Sequence, residues 1–136
     1  MYAHGDQSPA IQGNSLLKAV ANTGIIVIYC APDLTVEWSQ NVPNTWSDSP
    51  IDGRQLQTVL PDEAAAEIVL ARHDAERSGH CRKIEIALPG GQGGSWYSVW
   101  VDTYRAETGV VAGIMMTAVD LTEQKRREQT LRTLLR

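Results

Sequence analysis

The spacing of apolar positions changes several times along the chain, and each change marks an element. Residues 1–13 are small and polar, with Gly5, Pro9 and Gly13, and read as a flexible tail. Asn14 and Ser15 then offer N-cap side chains to a short helix. Leu16, Leu17, Val20 and Ala21 lie on one side of that helix, and Gly24 supplies its stop. Residues 25–30 form a continuous, largely β-branched run, the pattern of a strand covered on both faces. After a turn at Ala31, Pro32 and Asp33, residues 34–40 alternate. This predicts a hairpin with Leu34, Val36 and Trp38 on one face.

Residues 41–53 are irregular and rich in Asn, Pro, Ser and Asp. Leu56, Val59 and Leu60 make one apolar turn before Pro61, a residue suited to the start of a helix. The spacing predicts that helix over 63–78, with Ala65, Ile68, Val69, Arg72 and Ala75 along one face and Gly79 ending it. Three strands follow: 81–88, 96–104 and 110–119, separated by the Gly-rich segment 89–94 and by a turn at 106–109. In the middle one, Trp96, Ser98, Trp100, Asp102 and Tyr104 share a face opposite Tyr97, Val99, Val101 and Thr103. Asp120 and Glu123 resemble a capping box opening a last helix, with Leu121, Leu131, Leu134 and Leu135 on a stripe. Residues 123–130 hold no apolar side chain, so the first turns of this helix have no evident anchor. The pattern runs to Arg136 without a Gly or Pro stop and reads as continuing in a longer protein.

The order helix, two strands, helical middle, three strands, helix predicts an α+β domain. Its five-stranded antiparallel sheet carries large residues on both faces and needs cover on both. The expected organisation is a tail over 1–13, a domain over 14–120 and an output helix starting at 121. A chain of 136 residues fits one domain, and its 43% apolar content supplies a core. A net charge of −4 and pI near 5.3 argue against nucleic-acid binding. No apolar run is long enough to span a bilayer and the start does not resemble a signal peptide, so a cytoplasmic chain is expected. Cys30 and Cys81 form no Cys-x-x-Cys pair and read as ordinary thiols.

Gly109-Val110-Val111-Ala112-Gly113 followed by Asp120-Leu121-Thr122-Glu123-Gln124-Lys125 resembles the closing pattern of the PAS family of sensor domains. Asn41 after the second strand, Gly53 before Leu56, Ser78-Gly79 and Trp96-Tyr97 match in the same order, and the resemblance covers roughly 15–130. It implies the PAS fold, with helices on one face of the sheet and flanking N- and C-terminal helices. It also implies a ligand or interaction pocket between the long helix and the sheet. A homodimer is implied as well, whose C-terminal helix carries a signal to an effector in the same chain, such as a bacterial histidine kinase or cyclic-dinucleotide enzyme. The pocket would be lined by Ile28 (or Val27), Ile68, Val69, Val99, Val101 and Met115 (or Ile114). Asp120, Leu121 and Thr122 would transmit the signal. Leu16, Leu17 and Val20 with Trp96, Trp100 and Tyr104 would form the dimer interface, since interfaces favour Trp and Tyr; packing under the chain's own terminal helices is the other reading.

Neither haem nor flavin is expected. Haem-binding relatives place their histidine further upstream than His73, which stands six residues before Gly79. Flavin-adduct relatives carry an Asn-Cys-Arg-Phe motif ahead of the long helix, whereas Cys81 follows it and reads as a buried strand cysteine. His73, His80 and Cys81 do not have the spacing of a metal site. The glycines at 90, 91, 93 and 94 lack the Lys-Ser/Thr of a phosphate loop, and no catalytic constellation is evident. The expectation is a non-catalytic sensor domain. The alternative is a pure protein–protein interaction module without a ligand.

Overall fold

The computed structural model describes residues 23–89 and 93–135. The expected tail and the helix carrying Leu16, Leu17 and Val20 lie outside the described residues. A hairpin of β1 (Ile26–Cys30) and β2 (Val36–Gln40) is followed by α1 (Leu56–Val59) and α2 (Asp62–Ser78). Then come β3 (Arg82–Leu88), β4 (Ser95–Arg105), β5 (Val111–Asp120) and α3 (Thr122–Leu134). The strands form one five-stranded antiparallel sheet in the order β2-β1-β5-β4-β3.

The inner face of the sheet carries Ile26, Ile28 and Cys30, then Ile86 and Leu88, Tyr97, Val99 and Val101, and Ile114, Met116 and Ala118. Leu56, Leu60, Ala64, Ala65, Ile68 and Ala71 close over it from α1, α2 and the link between them. Four of the five buried residues of α2 are alanines, so the helix backbone can approach the strands closely. Asp62 and Glu63 in its first turn complement the helix dipole. Gly79 ends it in the left-handed region at φ 73°, donating to the Ala75 carbonyl. Two arginines fasten the helix laterally. Arg72 pairs with Glu76 and donates to the Pro32 carbonyl at 3.1 Å. Arg105 donates to the carbonyls of Glu76 at 2.6 Å and Gly109 at 2.7 Å, satisfying a last-turn acceptor of α2.

Three positions differ from the sequence pattern, each for a geometric reason. The buried arc of α2 runs through Ala64, Ile68, Ala71 and Ala75, which turns Val69 outward to 44% exposure. In β2 the register shifts, so that Val36 pairs with Cys30 while Trp38 pairs with Tyr29. This bulge sends Val36 into the core and Trp38 to the outer face, where its ring stacks on Tyr29 at 5.6 Å. In β5, Met116 is the buried methionine and pairs with Ile28, while Met115 sits on the outer face opposite Tyr29 and Asp102. Cys81 lies just before β3 and is exposed; the buried thiol is Cys30. Burial, and then Glu37 and Asp33, push the Cys30 thiol up to about 12.

Tyr29 reaches its place on the outer face by crossing Gly113. A Cβ at position 113 would overlap the Tyr29 hydroxyl and ring. Gly113→Ala is therefore expected to displace the ring from Trp38 and cost about 1–2 kcal/mol. Combined with Tyr29→Ser, the alanine should cost little more than Tyr29→Ser alone. Thermal unfolding of the four members of this cycle checks both statements, and additive effects would refute the overlap.

Candidate functional site at the strand–helix junction

Where β5 gives way to α3, three backbone amides are accounted for within a few residues. Thr122 N–H donates to Asp120 Oδ1 at 2.8 Å, forming a tight Asx turn. Trp96 N–H, at the start of β4, donates to Thr122 Oγ1 at 3.0 Å. Leu121 N–H donates back to the Trp96 carbonyl at 2.7 Å. The predicted trio Asp120, Leu121 and Thr122 thus converges on one residue of the neighbouring strand. The capping-box reading is corrected: Leu121 occupies the N-cap without a side-chain cap bond, and Glu123 pairs with Arg127.

The first turns of α3 do have an anchor, and it is polar. Lys125 Nζ lies 2.8 Å from Glu85 Oε1 on β3 and 5.3 Å from the Trp96 ring centroid. The hydrogen bond from Lys125 holds the Glu85 carboxyl below its ordinary value, and the same bond holds Lys125 above its own. One side chain therefore ties α3 to two strands. Sequence reading missed this contact because Glu85 and Lys125 are 40 residues apart and each looks like a surface charge.

Trp96, Trp100 and Tyr104 do share the outer face. Trp100 pairs with Lys83 and Thr117, with Lys83 Nζ 5.4 Å from its ring centroid, and Tyr104 pairs with Gly113. The two tryptophans are half-buried and Tyr104 is 52% exposed. Trp38, Tyr29 and Met115 extend this face toward the β2 edge.

The residues expected to line an inner pocket divide into two groups. Ile28, Ile68, Val99 and Val101 are all buried in the core, whereas Val69 and Met115 point away from it. Leu34, Leu56, Gln57, Leu60, Ala65 and Ile68 border a gap of about 130 Å³ that has no room for a water molecule. Gln57 Oε1 on this gap is buried without a hydrogen-bond partner, and so is Trp46 Nε1, whose ring meets Tyr97 edge-on at 5.2 Å. Neither stood out in the sequence: Trp46 lies in the irregular stretch, and Gln57 is a polar residue inside an apolar turn. Among the described residues, no group of three or more His, Cys, Asp or Glu is placed to hold a metal. No described helix is long and apolar enough to cross a membrane.

No family model and no curated protein matches the chain. Solved structures do. The PAS domain of a protein from Colwellia psychrerythraea superposes with a TM-score of 0.65 at 12% identity, covering 82% of this chain and 98% of that one. A sensory box sensor histidine kinase structure from Vibrio cholerae gives 0.59 at 14% identity, covering 85% and 98%. An RNA-binding light-oxygen-voltage receptor gives 0.65 at 17% identity; it covers 99% of this chain, which spans only 40% of the receptor. Likeness at these identities establishes the fold, and the chain has the PAS fold.

If the junction is held as described, Thr122→Val should free the Trp96 amide and raise its hydrogen-exchange rate by about three- to tenfold, the loss of one ordinary hydrogen bond. The Lys125–Glu85 contact should persist across neutral pH. Its contribution disappears as pH falls through the depressed Glu85 value, and again as pH rises through the elevated Lys125 value. Amide and side-chain NMR of α3 against pH would follow both limits. A junction unaffected in acid would remove Lys125 as an anchor.

Proposed function

We propose that this chain is a non-catalytic sensory and dimerisation domain that passes a change in its packing to an effector through α3. The observation that carries this reading is the tie between Thr122, Leu121 and Trp96. Through it, any shift of β4 relative to β5 must be felt at the first residue of the output helix. The contacts are few and polar, each stabilising by about 0.5–1.5 kcal/mol, so a small bias between two states is enough to rearrange them. Asp120, Leu121 and Thr122 transmit; Lys125 and Glu85 set the resting position. The half-buried aromatic face of Trp96, Trp100 and Tyr104, with Leu16, Leu17 and Val20, forms the interface of a homodimer in a cytoplasmic protein. Effectors of the kind named among the structural neighbours, histidine kinases, suit an output of this type.

Ile28, Ile68, Val99 and Val101 form the wall against which a small apolar ligand would act. The narrow gap beside Gln57, too tight for a water molecule, favours a second reading, in which the core is filled by side chains and the domain answers to a protein partner alone. Native mass spectrometry of the purified chain separates them. A dimer with added mass supports ligand sensing, and a bare dimer supports the interaction module. A bare monomer overturns the aromatic-face interface. In the full-length protein, Asp120→Ala with Thr122→Ala should leave the fold intact while the effector stops responding to input. Unchanged signalling would remove the junction from the route.

A further inference from the structure

Helix α2 presents a second surface, on the side turned away from the sheet. Asp62, Glu63, Ala66, Val69, Leu70, His73 and Arg77 are all exposed. At about 100° per residue they fall on one stripe along the helix. Val69 at 44% and Leu70 at 57% exposure place two branched apolar side chains at its middle, where a solvated helix face would carry charge. The acids Asp62 and Glu63 stand at one end and Arg77 at the other.

We propose that this stripe is a self-association surface, and that its occupant is α2 of a second copy of this chain, packed antiparallel across a two-fold axis near Val69 and Leu70. The argument is complementarity. With the axis at that point, residue numbers on facing positions sum to about 139–140. Asp62 and Glu63 of one copy then meet Arg77 of the other, and Ala66 meets His73, small against large. Parallel pairing would set acid against acid and base against base. Antiparallel pairing also opposes the two helix dipoles. Such a contact is isologous, so each favourable pair occurs twice.

The backbone of the helix is held in place by contacts on its other sides. Arg72 is engaged with Glu76 and the Pro32 carbonyl, and Arg105 fixes the last turn. One helix face is smaller than a standard interface, so the association is weak and concentration-dependent. It is separate from the aromatic face proposed above, which lies on the other side of the sheet. A chain with two different two-fold contacts links dimers into larger assemblies rather than closing at two copies.

Sedimentation velocity of the purified chain over a concentration series, at low and moderate salt, tests the proposal. Arg77→Glu should weaken the association by about fivefold or more, since two symmetric ion pairs become repulsive. Leu70→Glu, an exposed position whose change leaves the core intact, should weaken it further. Arg77→Glu combined with Asp62→Lys and Glu63→Lys should restore it, which general destabilisation could not do. Tyr104→Glu reports on the aromatic face separately: it should reduce that contact and leave the dependence on Arg77 unchanged. Association insensitive to both Arg77→Glu and Leu70→Glu overturns the proposal while leaving the aromatic-face reading untouched, and association absent altogether at high concentration overturns both.

Discussion

Burial of one continuous apolar layer between the inner sheet face and the alanine side of α2 decides where every other residue can point. Alanines at 64, 65, 71 and 75 let the helix settle close to the strands, with Ile68 as its main inserted side chain. That settling fixes the rotation of α2, and so turns Val69 and Leu70 to solvent. It also fixes which methionine of β5 is inward. Once Met116 belongs to the core, Met115, Thr117 and Val119 must form the outer face with Trp96 and Trp100. Truncating Ile68 or Val99 would be expected to remove several kcal/mol at once. No contact at the strand–helix junction is of that size.

This difference in scale separates the core from the junction. The core is dominated by apolar side chains packed with little tolerance for partial rearrangement. Among the described residues, α3 has no buried side chain, and the contacts at its base are polar. Trp96 stands at the meeting point: its backbone holds Leu121 and Thr122, and its ring lies under Lys125.

Much of this was legible in the sequence. The order of strands and helices from β1 to α3 and the two faces of β4 followed from period and turn residues, and the resemblance to the PAS family pointed to the five-stranded sheet. The losses came where a local pattern met a non-local decision. A single bulge opposite Tyr29 and Cys30 reversed Trp38, because alternation assumes an unbroken register. Val69 was misplaced because Ile68, Val69 and Leu70 are all apolar, and only packing chooses which of three adjacent residues goes inward. The parity of Met115 and Met116 could not be set without the β1 register. The Lys125–Glu85 contact needed two distant elements to be brought together before either charge had meaning. The polar orphans at Trp46 and Gln57 had no sequence signature, since both residue types are common on surfaces.

The pairing of β1 with β5 has a further consequence, in time rather than in space. Ile26 lies beside Ala118, and Cys30 beside Ile114, at the centre of the sheet. The first of the five described strands thus waits for the last before its second edge is filled. Until then the hairpin of β1 and β2 carries one unfilled edge on a strongly apolar strand, and closing a long loop must precede the pairing that fills it. The domain is bound to complete its sheet late in synthesis, and the interval before that is when the nascent chain is most exposed to pairing with another copy of itself.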